Sequence, residues 1–254
     1  MLLHRFFLLC LLLSSFSIHA RYLEFYAGPE ISYLERQRQT GTHQEGQING
    51  LRVGVDRIKR HGFYLGADYL YGCGEIEGKN SREKAIFSNF SNEIIEVRLG
   101  YCLQHDWPKK QFFIPFGGWG SFTQSNQFIP PTEMICTFTE HFNFFVVGFL
   151  SGFNFTPLLS MGINFKVRFM QNSACDITDD PYFDDITMIV KDSTQYRLEL
   201  PFVCKSRGPW LLTKIALIPF YELRQFGGRE SFPFDYIETK YHLYGANLKL
   251  SRCF

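Results

Sequence analysis

The chain has 254 residues and a formal net charge of +1, acids and bases nearly cancelling, which leaves no basic field for nucleic acid and no long run of one sign. No Pro/Ser-rich or low-complexity linker divides it, so one large domain is the simplest organisation. The most apolar internal stretch, Phe142 to Phe155, is interrupted by Asn143, Gly148, Ser151, Gly152 and Asn154, and that excludes a second helix of membrane-spanning length.

The first element is an N-terminal export signal. His4 and Arg5 supply a basic start, Phe6 to Leu13 an apolar core, and Ala20 a small residue before a cut, which together predict a secretory signal peptide over residues 1–20. The apolar core is too short to span a bilayer as a helix. Cys10 follows two leucines and does not make a lipoprotein site. The mature domain is expected over residues 21–254.

From there the chain alternates with period two, as a strand does when its two faces meet different surroundings. Leu23 to Tyr33 has Glu24 and Glu30 on the second face, and Leu51 to Val55 has Arg52 and Asp56. Phe63, Leu65, Ala67, Tyr69 and Tyr71 interleave with Asp68 among others. Ile95, Val97, Leu99, Tyr101 and Leu103 interleave with Glu96 and Arg98. Phe112 to Phe122 and Phe138 to Leu150 follow. Met161, Ile163, Phe165, Val167 and Phe169 then alternate with Lys166 and Arg168, and Tyr196, Leu198, Leu200 and Phe202 with Arg197 and Glu199. Leu211 to Leu223 and Tyr244 to Phe254 complete ten strands.

The gaps between strands alternate in length. Longer ones fall near residues 39–46, 77–90, 125–137, 173–192 and 226–237; short ones fall at His61-Gly62, Asp106 to Lys110, Asn154 to Pro157 and Arg207 to Pro209. Long loops at one end and tight turns at the other are the pattern of a transmembrane antiparallel up-and-down β-barrel in the bacterial outer membrane. Ten strands is the expectation, with eight or twelve as alternatives. A secreted β-sandwich shares the alternation, but ten aromatic faces exceed what a sandwich core of this size needs.

On that map the lumen is lined by Glu24, Arg52, Asp56, Asp68, Glu96, Arg98, Lys166, Arg168, Arg197, Glu199 and Lys249, with Lys205 and Lys214 beside them. A ten-strand barrel lies between filled eight-strand cores and open channels. Such charges either pair across the lumen and plug it or line a narrow porin-like pore. Six cysteines remain in the mature chain: Cys73, Cys136 and Cys175 toward the loop end, and Cys102, Cys204 and Cys253 toward the turn end. Their wide spacing, without CxxC, argues against a metal or redox site. An exported chain can form disulfides, within the barrel or to other envelope proteins, and buried thiols acting as small apolar side chains are the alternative. No cofactor is implied.

The last strand, YHLYGANLKLSRCF, places Tyr244, Leu248, Leu250 and the terminal Phe254 on one face. It resembles the C-terminal signal by which outer-membrane barrels are read by the barrel-insertion machinery, with Arg252 as a departure. LEFYAGPEISY and FYLGADYLYG resemble the Gly- and aromatic-rich hairpins of small bacterial outer-membrane β-barrel proteins, and the cysteines are similar in kind to those of cysteine-linked chlamydial-type envelopes. The resemblance implies an outer-membrane location, contact with its lipid, and a structural or surface-exposed role. An omptin-like protease or lipid-modifying barrel with a rim active site is the alternative. For it the candidates are Asp176, Asp179, Asp180, Asp184 and Asp185 in the longest loop, with Glu140 and His141 at the rim of the sixth strand, because carboxylates beside a histidine can activate water.

Overall fold

A computed structural model of the chain describes residues 23–39, 41–59, 61–105, 111–182, 184–205, 214–228 and 238–253. The expected signal peptide over residues 1–20, the turns near Asp106 to Lys110 and Arg207 to Pro209, Leu211 and Phe254 lie outside them.

Thirteen strand segments make the sheet: β1 Leu23–Arg38, β2 His43–Ile58, β3 Gly62–Lys79, β4 Ala85–His105, β5 Gln111–Ile129, β6 Thr137–Asn154, β7 Leu159–Met161, β8 Asn164–Thr178, β9 Ile186–Ile189, β10 Thr194–Glu199, β11 Phe202–Lys205, β12 Lys214–Phe226 and β13 Thr239–Cys253. Segments β7 and β8 follow one another along a single stave, and β9, β10 and β11 along the next. The segments therefore form ten antiparallel staves. Each pairs with its sequence neighbour, and β1 closes the ring on β13 from Glu24↔Cys253 to Arg38↔Thr239. The fold is a closed up-and-down β-barrel of ten staves, with no edge exposed to lipid.

The staves are longer than a membrane needs. β4 holds 21 residues, ~70 Å at a rise of about 3.3 Å per residue, whereas a tilted strand crosses the hydrocarbon in about 9–11 residues. The surplus lies at one end and corrects the loop lengths expected from sequence. Residues 77–79 and 85–90 continue β3 and β4, and β8 runs on to Thr178. Only Asp179, Asp180, Asp184 and Asp185 of the acidic run remain in the loop, and Asp176 is a strand residue.

The outward face changes from apolar to polar along the long staves, and on β4 the inward face changes the other way. In the lower part Phe25, Ile31 and Tyr33 are exposed outward from β1 while Glu24 and Glu30 are buried inside. On the upper part of the same strand Leu34 is buried and Gln37 is exposed. On β4 the change falls at Ile94-Ile95. Val97 and Leu99 are exposed below it with Glu96 and Arg98 buried, whereas Ile86 and Phe90 are buried above it with Asn89 exposed. A membrane-facing wall needs an apolar outside and tolerates a polar inside, and a wall standing in water needs the reverse. The phase change thus marks where each strand leaves the lipid. Aromatic side chains sit at that level: Tyr33, Tyr244 and Tyr221 are in direct cross-strand register, and so are Trp119, Phe145 and Phe169. They form an interfacial girdle.

On β8 a register shift opposite His141 and Asn143 moves the buried positions from Lys166, Arg168 and Met170 to Ser173, Cys175 and Ile177. Asn172 stands there with φ of 54°, a left-handed conformation that Asn accepts better than most residues with a Cβ. One extra residue in this bulge turns Cys175 inward.

Candidate functional site

Inside the belt the buried charges meet as one lattice. Arg52 on β2 reaches Glu199 at 3.1 Å, Asp68 at 3.3 Å and Glu30 at 3.6 Å. From β4, Arg98 contacts Asp68 at 2.8 Å, Asp56 at 3.5 Å and Glu96 at 3.7 Å. Glu96 is fully buried and also accepts from Lys166 at 2.8 Å and from Arg168 at 3.0 Å. Arg197 on β10 binds Glu30 at 2.9 Å, Glu199 at 2.8 Å and Glu222 at 2.7 Å. Glu222 closes the set by accepting from Arg168 at 2.9 Å and Arg224 at 2.8 Å. Six cations (Arg52, Arg98, Lys166, Arg168, Arg197, Arg224) thus face six carboxylates (Glu30, Asp56, Asp68, Glu96, Glu199, Glu222), a sum of zero. Neutrality and dense hydrogen bonding are what make so many charges tolerable away from water.

The staves without charges at this level fill space with rings and glycine. Arg98 lies over Phe116 at 5.7 Å, Arg168 over Phe144 at 5.2 Å and Arg224 over Phe122 at 5.0 Å, geometries in which the ring face attracts the cation. Gly120 of β5 leaves the room that the Phe144 ring occupies; a Cβ there would come within 2.4 Å of it.

Above the lattice rings and aliphatic side chains dominate the interior, with a few buried polar groups bonded to one another among them, Arg36 to Gln44, Gln44 to Ser88 and Gln124 to Glu140. Leu34, Ile48, Ile76, Phe90, Phe122, Phe142, Phe144, Phe226, Tyr241 and Leu243 belong to one buried cluster, with Phe122 and Phe142 stacked at 4.7 Å. A second cluster near the loops packs Ile86, Phe128, Phe138, Ile177, Met188 and Val190 around Cys136 and Cys175. Burial, with Asp180 nearby, pushes the Cys136 thiol up to about 11. None of the six described cysteines is in a disulfide; Cys73 and Cys204 are exposed, and Cys253 is half-buried.

The sequence-derived lumen residues sit as follows. Glu24, Arg52, Asp56, Asp68, Glu96, Arg98, Lys166, Arg168, Arg197 and Glu199 are all buried. Lys249 is partly exposed and reaches Asp56 at 3.2 Å and Glu24 at 3.6 Å, and Lys214 also pairs with Glu24. Tyr244 and Leu248 are exposed on the outer wall. Glu222 and Arg224 were missing from the lumen set. Their signal was present, because Glu222-x-Arg224 repeats the alternate-residue charge pair of Glu96-x-Arg98 and Arg197-x-Glu199.

Of the rim candidates, His141 and Asp176 come together on the outer face, and Glu140 does not join them. Glu140 is buried and accepts from Gln124 at 2.7 Å, whereas His141, the next residue, faces out and lies 3.5 Å from Asp176. Adjacent residues of a strand point to opposite faces, so Glu140 and His141 cannot share a substrate. Asp176 also accepts from Thr187 at 2.7 Å. Among the described residues no group of three or more His, Cys, Asp or Glu is arranged to hold a metal ion.

No protein-family model matches the chain. A comparison with curated proteins likewise gives no match. Among solved structures, the chain is similar to the outer membrane protease OmpT from Escherichia coli, with a TM-score of 0.59 and 9% identity over 92% of this chain and 97% of that one. It is also similar to the translocator domain of the autotransporter NalP from Neisseria meningitidis, with a TM-score of 0.51 and 11% identity over 95% of this chain and 91% of that one. At such identity the likeness is one of fold: that of a bacterial outer-membrane β-barrel.

Proposed function

We propose that the chain is a closed structural barrel of the outer membrane, anchored by its apolar belt, whose working surface is the head that stands above the lipid. The observation that carries this reading is the double closure of the interior: a neutral lattice of six cations and six carboxylates inside the belt, capped by the aromatic cluster around Phe122, Phe142 and Phe226. A conducting pore needs a continuous wet path, and neither layer offers one. Its partners are outer-membrane lipid along the belt and the insertion machinery at the last strand. Cys73 and Cys204, both exposed, are the thiols open to exchange with other envelope proteins.

The test is planar-bilayer recording of the refolded protein, after heat-modifiable migration has established that it is folded. A folded and silent barrel is expected. Stable, ion-selective current steps would overturn the reading and make the lattice a selectivity element.

A further inference from the structure

The outer surface of the head has two chemically distinct sides. On β1, β2 and β3 the carboxylates Glu35, Glu45 and Glu77 stand in direct cross-strand register, and Glu75 shares their outward face. Like charges placed opposite one another are unfavourable, and this side repels an anionic neighbour. From β4 round to β9 the outward positions are mainly hydroxyls and amides.

That second side is continuous with the lipid belt. Immediately above the exposed aromatic row of Trp119, Phe145 and Phe169 comes a row of Ser121, Asn143 and Gln171, and above it Thr123 stands opposite His141. The next row crosses five staves through Ser91, Ser125, Thr139, Asp176 and Thr187. Thr139 donates to Ser125 at 3.3 Å and Thr187 to Asp176 at 2.7 Å, while His141 and Asp176, the ionisable members of these rows, lie 3.5 Å apart. Glu93, opposite Thr123 on β4, marks the border with the acidic side.

Hydroxyls and amides both donate and accept, which matches the neighbouring hydroxyls of a sugar. Short side chains on a paired sheet also lose little conformational entropy on binding. Height selects among lipids. From Ser121 to Gln127 the wall covers about 20 Å of strand, or about 14 Å of height at a tilt of about 45°. Phospholipid headgroups reach only about 5–8 Å beyond the hydrocarbon on each side, which serves the first row alone. A headgroup of several linked sugars covers the whole wall.

We infer that this face is the docking surface for the oligosaccharide headgroup of an outer-leaflet glycolipid, its sugars against Ser121, Thr123, Thr139 and Asn143 and its acyl chains on the aromatic row beneath. The inference rests on the reading of the head as the working surface and names its partner.

The test uses the refolded full barrel carrying Thr123→Cys or Gln47→Cys. Gln47, on the acidic side, lies the same two outward steps above exposed Leu51 as Thr123 lies above Trp119. Each barrel is placed in phosphatidylcholine nanodiscs that contain either lipid A bearing a core oligosaccharide or lipid A alone, and maleimide labelling is read by peptide mass spectrometry. With the core sugars, labelling at position 123 is expected to slow about fivefold when the glycolipid stands at about four times its dissociation constant, by mass action, and labelling at position 47 to change by less than about twofold. Asn143→Glu with Ser125→Glu, which brings the acidic side's chemistry onto this face, should abolish that difference in a barrel that still migrates as folded, and Asn143→Gln with Ser125→Thr should keep it. Equal slowing at both positions, which is crowding by the sugar layer, would overturn the assignment. So would no slowing at position 123, or the same slowing with lipid A alone. Current steps in the bilayer would overturn closure and leave these labelling ratios unchanged, so the two readings fail independently.

Discussion

Glu222 is the member of the lattice on which most guanidinium groups converge, and Glu222→Gln tests whether the lattice holds the barrel together. The side chain is fully buried and bonds Arg168, Arg197 and Arg224. The amide keeps the shape and removes the charge. Arg168 retains Glu96, and Arg197 retains Glu30 and Glu199, so these two remain matched. Arg224 retains the neutral Gln124 at 3.3 Å and, once the Asn92 amide is turned, its oxygen, and becomes a buried cation without an anion. Breaking a buried pair from one side costs about 3–5 kcal/mol, and the upper half of that range is expected here.

The assay is urea unfolding of the barrel in lipid vesicles, followed by the heat-modifiable shift and by fluorescence. The double variant Glu222→Gln with Arg224→Met removes both charges, and replacing a buried pair with neutral groups of similar size is often neutral or stabilising. It should recover most of the loss. Two results would refute the reasoning: a change within about 0.5 kcal/mol for Glu222→Gln, which is the scale of a surface substitution, or a double variant as unstable as the sum of the two singles.

Other outcomes follow from the same geometry. Leu99→Arg, in the outward belt, should cost about 2–4 kcal/mol near the bilayer midplane, while Asn89→Arg, on the same face of the same strand but above the girdle, should stay within about 0.5 kcal/mol; equal costs measured by unfolding would misplace the lipid boundary. Phe122→Ala, which empties the stack against Phe142, should lose about 3–5 kcal/mol, read in the same titration. In the folded barrel Cys73 and Cys204 should alkylate first. Cys136, held up near 11, should stay unreactive at neutral pH and gain rate only toward that value, because its neutral thiol is the form the buried site favours. Its contribution to stability is present below its ordinary value near 9 and is lost as pH rises from there toward 11. Early alkylation of Cys136 at neutral pH would show the upper cluster open to water.

The belt and the ten staves were legible because a membrane barrel writes its two environments into alternate residues. Ile95 to Leu103 and Phe165 to Phe169 could be read directly, together with the charges between them. The upper half was not legible by the same rule. Where the wall enters water the alternation continues with its phase reversed, so Phe87 to Ile94 reads as a break rather than a strand. The bulge at Asn172 hid the rest of β8 in the same way, since a search for strict period two loses register at one inserted residue. The pairing of Arg197 with Glu30, 167 positions apart, depends on where distant staves face one another across the lumen, which no local pattern contains.

The inversion also decides what lattice variants can do to permeability. A barrel closed only by charges would be opened by removing them, and Arg98→Ala or Arg168→Ala would then create current. Here the rings of Phe90, Phe122, Phe142 and Phe226 lie in series above the lattice and are fixed by contacts with one another, Phe226 against Phe142 at 5.9 Å and against Tyr241 at 5.3 Å. A gap among the charges therefore leads into a layer of packed rings whose buried polar groups already bond one another, Arg36 with Gln44 and Gln124 with Glu140. Arg168→Ala should accordingly weaken the fold while the bilayer stays silent, and steps should appear only when Phe122→Ala and Phe142→Ala are added to it. Current through Arg168→Ala alone would mean that the aromatic layer is not a seal, and the head would then be a porous rim rather than a second core.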